Sequence, residues 1–378
     1  MKIALVSPYD FAYPGGVNNH ILHLREHFIR MGHEIKIIAP SSRPLNNSQN
    51  VIVIGKAVPI RASGSIVRVP VSPNLLFSQK IRQLLARERF DVVHIHEPFL
   101  PVLGTAVLHH CSSRELVVAT FHAFRSNSWG YVFWKPIILN HWFRKLEGKI
   151  VVSRAAMDFI SRYFPGEYEI IPNGIDFARF AGVDVQPIPE FCDGKLNVLF
   201  VGRIEKRKGF KYLLGAYQRV KQGMPDIRLI VVGPQDRSLQ KFRRIASEQN
   251  IRDVVFAGYA SHEDLPRYYK SADVFCSPAT GKESFGLVLL EAMAAGTPPV
   301  ASSIAGYAGV IKHGKDGILV KPKDETALAD VLKQVLNDRS LRERMGEAGR
   351  IKAAEYSWNT VAERVMGYYQ QLLSSRKR

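Results

Sequence analysis

The feature that most limits what this chain can fold into is a strand–helix alternation that runs twice along it. In the first half, β-branched and apolar runs recur at 2–7, 34–39, 51–54, 92–96, 116–121, 149–153 and 169–172, with helix-like segments between them. Several are apolar almost throughout, as in parallel strands covered on both faces. The chain turns at Pro172-Asn173-Gly174, and 182–195 holds Pro and Gly without periodicity. A second alternation follows, with strand-like runs at 197–201, 228–232, 254–257, 273–277, 299–301 and 318–320. Two successive series of this kind predict an α/β chain with two doubly wound domains facing a cleft at the carboxyl ends of their strands.

Composition agrees with that size of core. A chain of 378 residues with 46% hydrophobic content suits about two domains. No apolar run approaches the roughly 18 residues that span a bilayer. The first residues read as a buried strand rather than a signal peptide, and Cys111, Cys192 and Cys276 are too few and too scattered for a disulfide framework or zinc site. The expected compartment is the cytoplasm. Net charge is +18, which calls for an anionic partner: nucleic acid, membrane or substrate. Between Arg43 and Arg89 eight basic residues face one acid, Glu88.

Chemistry concentrates at strand ends. After the run 272–277 comes Glu283-Ser284-Phe285-Gly286, leading into an apolar segment that stops at Gly296 before Pro298 and Pro299. A helix starting near Ser284 would put Glu283 at its mouth, where free N–H groups and the helix dipole favour a phosphate. Glu291 lies about two turns on and is the one ionisable residue between Phe285 and Gly296. Two acids flanking an anion site suit a ligand with hydroxyls at both ends and phosphate between, such as a nucleotide sugar. The 203–208 segment adds Arg203 and Lys208, with Arg207 beside them, after the first strand of the second series. Cations there would stabilise charge on a departing diphosphate.

In the first half, Gly15 and Gly16 precede a helical pattern, allowing close approach of a ligand. They do not form a dinucleotide fingerprint. His94 and His96 share one strand face, which invites a metal reading; no third ligand has supporting spacing, so no metal is expected. His122 closes the next strand. From Phe124 to Lys145, aromatics alternate with Arg125, Lys135, Arg144 and Lys145, a pattern that suits either a membrane interface or a core helix pair. Phe77, Ile81, Leu84 and Leu85 form an apolar stripe flanked by Lys80, Arg82, Arg87 and Arg89. With Arg61 and Arg68, Lys80, Arg82 and Arg87 favour an anionic lipid surface, at roughly 1 kcal/mol per basic residue near the headgroups.

The spacing Glu283-x7-Glu291 resembles the signature of family-4-type retaining glycosyltransferases, which have two Rossmann-like domains of the GT-B type. The resemblance covers essentially the whole chain. Through Pro8-Tyr9, Pro14-Gly-Gly-Val17, Gly55-Lys-Ala-Val-Pro-Ile60, His94-Ile-His-Glu-Pro98, Ala119-Thr-Phe-His122 and Glu283-Ser-Phe-Gly286 it looks most like the mycobacterial type of phosphatidylinositol mannosyltransferase.

The resemblance implies that Glu283 holds sugar hydroxyls and Glu291 the ribose, with the backbone of Ser284, Phe285 and Gly286 on the phosphates. It implies that Gly15 and Gly16 close over the donor, that Arg203 and Lys208 bind its diphosphate, and that His122 positions the reaction centre without acting as nucleophile. Tyr9, Asn18 and Arg125 would meet the acceptor. Ala123 and Asn127 stand where the family pattern has Thr and Lys. The C-terminal segment would return to the first domain, giving domains of 1–172 plus 358–378 and of 173–357.

The implied activity is transfer of a hexose, mannose from GDP-mannose, to a lipid head group such as phosphatidylinositol at the cytoplasmic membrane face. No cofactor, metal or nucleic acid is expected. The alternatives are a soluble sugar or polyol acceptor, a sugar-nucleotide epimerase, and a basic nucleic-acid-binding protein.

Overall fold

A computed structural model describes residues 1–45, 50–62, 65–100, 102–123, 129–281 and 283–376. The chain forms two compact units, Met1–Gly174 with Trp358–Arg378, and Ile175–Ser357.

The first unit contains nine strands: β1 (Lys2–Val6), β2 (Glu34–Ala39), β3 (Val51–Val53), β4 (Ala57–Ala62), β5 (Ser65–Pro70), β6 (Val92–His96), β7 (Leu116–Phe121), β8 (Gly148–Val151) and β9 (Glu169–Ile170). Seven make one sheet in the order β3-β2-β1-β6-β7-β8-β9, parallel throughout, with Ile3 opposite both Ile35 and Val92. β1, β6 and β7 are almost wholly buried: β1 and β7 are mainly Val, Ile, Leu and Ala on both faces, whereas β6 is so on one face and carries His94 and His96 on the other. The helix Gly16–Arg30 and the C-terminal helix Trp358–Arg376 cover one face, burying Ile21, Leu24, Phe28, Val361, Val365 and Tyr369 against it. Gly174 is held to glycine by that helix: a Cβ there would sit 2.4 Å from Trp358.

β4 and β5 form a separate antiparallel hairpin, pairing Ala57 with Pro70 and Arg61 with Ile66. This hairpin occupies the stretch that reads in sequence only as a basic segment. The following helix, Gln79–Glu88, buries Ile81, Leu84 and Leu85. Phe77 does not join that stripe: it lies before the helix and is 71% exposed.

The second unit carries β10 (Leu196–Val201), β11 (Ile227–Val232), β12 (Val254–Gly258), β13 (Val274–Ser277), β14 (Pro299–Ser302) and β15 (Ile318–Val320) in the order β12-β11-β10-β13-β14-β15. In both units the strand order reverses beside the first strand, between β1 and β6 and between β10 and β13. In a doubly wound sheet the loops at that reversal diverge to opposite faces and leave a crevice at the strands' carboxyl ends. Among the described residues no helix is long and apolar enough to cross a membrane.

Candidate active site

In the second unit, the reversal brings the loop after β10 against the loop after β13. Gly209, at φ +70°, lets the chains touch: a Cβ there would lie 2.0 Å from the Pro278 carbonyl oxygen. Thr280 N–H donates to the Arg207 carbonyl at 2.8 Å. Across this junction the Glu283 carboxylate accepts from Lys208 Nζ at 2.8 Å and from the Arg207 guanidinium. Glu205 accepts from Arg207 Nε at 2.7 Å and lies 3.5 Å from Arg203. Lys208 and Glu283 are 15% and 13% exposed at the side chain, while Arg203 is 64% exposed. The result is an acid clamped between two cations, with a third cation reaching into solvent.

The helix after Glu283 begins at Leu287, three residues later than the sequence suggests. Gly286 caps it at φ +95°, with Tyr307 packed where a Cβ would be. A left-handed residue cannot continue a helix backwards, so Ser284–Gly286 form an approach loop and Phe285 is buried beside Tyr356. Glu291 lies within the helix, half-buried, and accepts from the Tyr269 hydroxyl at 2.8 Å. Burial pushes its carboxyl up, while Tyr269, Arg179 and Lys208 favour the charged form. Glu291 is thus an internal, partnered acid and not a surface one.

In the first unit, the loop after β1 is shaped by buried polar groups. The Asn18 amide accepts from Ser7 Oγ at 2.7 Å and donates to the carbonyls of Asp10 and Tyr13 at 2.9 and 3.1 Å. Its side chain is therefore committed inside the loop. Tyr9 sits on the same loop, its N–H bonded to Ser7 Oγ at 3.2 Å. Gly15 and Gly16 have open space where a Cβ would point, and neither needs a left-handed backbone. Space, not conformation, is what they supply.

Behind β1 and β6 four imidazoles gather. His94 Nδ1 lies 2.6 Å from Tyr369 Oη, and its Nε2 lies 2.6 Å from Thr120 Oγ1. His96 stacks on His94 at 4.4 Å between centroids, and its Nδ1 lies 3.0 Å from His122 Nε2. His20 Nδ1 lies 3.0 Å from Asn173 Oδ1. His94 and His96 are wholly buried. Burial pulls all four down, His94 and His122 to about 3, so they are neutral near pH 7. Glu97, at φ +49°, accepts the backbone N–H groups of His122 and Ala123 at 2.6 and 2.7 Å and fixes that loop. His20, His96 and His122 offer ring nitrogens within 4.8 Å of one another, the group of described residues that could hold a metal. The group leaves out His94: His96 is joined by His122 and by His20, brought in from the helix after β1.

The two halves of the chain match two families. Residues 14–179 match Glycosyltransferase Family 4, and residues 186–352 match Glycosyl transferases group 1. The phosphatidyl-myo-inositol mannosyltransferases of Mycobacterium leprae and Mycobacterium tuberculosis are 35% and 37% identical to the chain, over 99% of it and 98% of each relative. The chain belongs to the group 1/family 4 glycosyltransferases. Sucrose-phosphate synthase from Thermosynechococcus elongatus, 22% identical, superposes with a TM-score of 0.75 over 99% of both chains and shares the GT-B fold.

Of the surface residues expected to meet lipid in this glycosyltransferase, Lys80 and Arg82 are exposed. Arg87 is ion-paired with Glu88 at 2.9 Å and so is not a free cation. Arg68 lies over the Tyr13 ring at 4.0 Å. Arg61 lies on β4, and Arg125 falls outside the described residues. The aromatic segment divides: Tyr131, Trp142 and Phe143 pack on the core, whereas Phe133 and Trp134 are 84% and 56% exposed. Sequence reading missed the Arg207–Glu283 pair and Arg179. The run of cations at 206–208 was the signal for the first; nothing local marks Arg179.

Proposed function

We propose that this glycosyltransferase moves mannose from GDP-mannose to the head group of phosphatidylinositol, with retention at the anomeric carbon, while bound peripherally to the cytoplasmic face of the membrane. The observation that carries the donor half is the Glu283–Lys208–Arg207 cluster at the strand-order reversal, with Arg203 beside it. Burial strengthens the field of Lys208, and Arg203, 64% exposed and 3.5 Å from Glu205, keeps guanidinium N–H groups on the solvent side that can fork onto a phosphate. In this reading the C1–oxygen bond to the diphosphate breaks as Arg203 and Lys208 take up the charge on the departing oxygen. The acceptor hydroxyl enters on the same face, and its proton passes to the leaving phosphate oxygen. Glu283 holds the sugar hydroxyls, Glu291 the ribose, and the loop Ser284–Gly286 the phosphates. His122, neutral and hydrogen-bonded to His96, positions the sugar and exchanges no proton near pH 7. No metal enters any step.

The acceptor half rests on the relatives named above and on the exposed Phe133 and Trp134, followed in the chain by Lys135, a pairing that suits a lipid interface. The test is transfer of labelled mannose from GDP-mannose to phosphatidylinositol vesicles, with neutral vesicles and UDP-glucose as controls and the product anomer read by NMR. Label confined to the anionic lipid, in the α configuration of the donor, is expected. Labelling of a soluble polyol instead would overturn the lipid acceptor while leaving the donor reading intact.

A further inference from the structure

Two strand ends and one helix of the first unit bring three imidazoles together. β6 pairs with β7 in parallel, with His96 opposite Thr120. His122, two residues past Thr120, falls on the same face, and the Glu97 carboxylate pins its backbone there. His20 reaches them from the buried side of the helix Gly16–Arg30. The ring centroids form a near-regular triangle: 5.3 Å from His20 to His96, 5.3 Å from His96 to His122 and 4.8 Å from His20 to His122.

That triangle has the dimensions of a metal site. A zinc-bound imidazole nitrogen lies about 2.0–2.1 Å from a tetrahedral ion, which puts its ring centroid roughly 3.2 Å away and two such centroids about 5.2 Å apart. Ring nitrogens of the three residues lie within 4.8 Å of one another, and His96 Nδ1 stands 3.0 Å from His122 Nε2. A tetrahedral ion holds such atoms about 3.3 Å apart, so rotation of the rings closes what remains.

Hydrogen bonding within the protein leaves the cluster incomplete. His96 Nε2 is buried and has no hydrogen-bond partner among the described residues, whereas a buried ring nitrogen normally has one. His94 differs: Thr120 and Tyr369 take both its nitrogens at 2.6 Å, so it stacks on His96 without joining the group. The Asn173 amide oxygen, an acceptor only, lies 3.0 Å from His20 Nδ1. It keeps the proton on that nitrogen and leaves the Nε2 lone pair available, as an outer-shell partner does for a metal-ligating histidine. His122 is part-exposed and opens the group to solvent.

We propose that His20, His96 and His122 form a three-imidazole site for a borderline first-row dication, zinc(II) above all. Imidazole selects such ions over magnesium and calcium, which take oxygen ligands. Occupation draws His122 away from the sugar, a clause that rests on the role given to it above, so the ion inhibits transfer and is not its cofactor. Asn173 is a positioning residue that acts through His20.

The experiment titrates zinc chloride into metal-free protein against a chromophoric chelator. Cobalt(II) is then added in place of zinc for its visible absorption, strong in a tetrahedral site and weak in an octahedral one. Wild type should take up one zinc per chain, give the tetrahedral cobalt spectrum and keep zinc in a large excess of magnesium. His20→Ala and His122→Ala should each weaken zinc binding by about a hundredfold or more, and Asn173→Ala by about ten- to a hundredfold, as for a lost outer-shell partner. His94→Gln should bind as wild type does. So should His27→Ala, which breaks the His23–His27 pair on the same helix. Unfolding midpoints by tryptophan emission report that the variants fold.

If His20→Ala or His122→Ala binds zinc as wild type does, the site is refuted. Loss of zinc from folded His94→Gln or His27→Ala would equally overturn it, by placing the ion on other histidines. Transfer in zinc-buffered solution should fall in step with occupancy and return with EDTA; undiminished transfer by the zinc-loaded protein would overturn the inhibitory role. The titrations need no transfer reaction. A protein that binds zinc as expected, yet when metal-free transfers no mannose, would therefore sustain the site and overturn the activity proposed above.

Discussion

Acidification should destabilise the first unit through its buried histidines, and His94 allows the size to be worked out. It is completely buried between Thr120 on β7 and Tyr369 on the C-terminal helix, and burial holds its imidazole down to about 3. In the unfolded chain a histidine titrates near 6.5. The folded pKa is lowered, so the unfolded state binds the extra proton. Its contribution is therefore complete above about pH 6.5 and is lost as pH falls from there toward 3. Between pH 8 and pH 5 the unfolded imidazole becomes almost fully protonated while the folded one stays neutral, which costs about 2 kcal/mol. All four tryptophans, Trp129, Trp134, Trp142 and Trp358, lie in the first unit, so their emission reports that unit alone. Urea unfolding followed this way at pH 8 and pH 5, in wild type and in His94→Gln, gives the pH-dependent difference directly. His20, His96 and His122 add to the wild-type loss in the same direction, and the variant isolates the His94 share. The wild type should lose about 2 kcal/mol more than the variant. Equal losses in the two proteins would show that His94 is not held neutral, and the argument from burial would fail.

Lys208→Ala should lower kcat by about 10² to 10³, the range for removing one donor to developing charge, and weaken GDP binding by fluorescence titration by about tenfold, in line with one lost charge-assisted hydrogen bond; Lys208→Arg should not restore full activity, because the buried site fits a compact ammonium. Glu88 is the reverse electrostatic case. Its hydrogen bonds to Lys36 and Lys2 lower its pKa to about 2, so its stabilisation is present above about pH 4.5 and disappears as pH falls through 2. Glu88→Gln should cost about 2 kcal/mol at pH 7 once screening of the part-exposed lysines is allowed for, measurable by the same tryptophan-monitored unfolding, and only about 0.4 kcal/mol at pH 2. Gly16→Ala should leave stability unchanged or raise it by up to about 1 kcal/mol, since a Cβ there meets nothing within 4 Å, yet reduce transfer in a steady-state assay. A fully active Gly16→Ala enzyme would show that no ligand approaches that backbone.

The strand positions were legible in the sequence because they depend on contiguous residues. Runs such as Leu116–Phe121 and Val274–Ser277 are largely apolar on both faces, and such a run is best buried in a sheet with helices on each side. The same local reading singled out Glu283, Arg203 and Lys208, since each follows a strand, and Glu291 as the one acid in an apolar helical run. It could not find the β4–β5 hairpin, where basic and apolar residues mix and pairing alone decides the structure. Nor could it set the start of the helix at Leu287, which depends on the left-handed Gly286 packed against Tyr307. The histidine cluster was beyond it for a stronger reason. His20, His96, His122 and Asn173 meet only because the sheet order puts the ends of separate segments together. Sequence determines which segments become strands, since burial of a local run answers to its own residues. Which side chains face each other at strand ends is decided by long-range register, and that exists only in the folded chain.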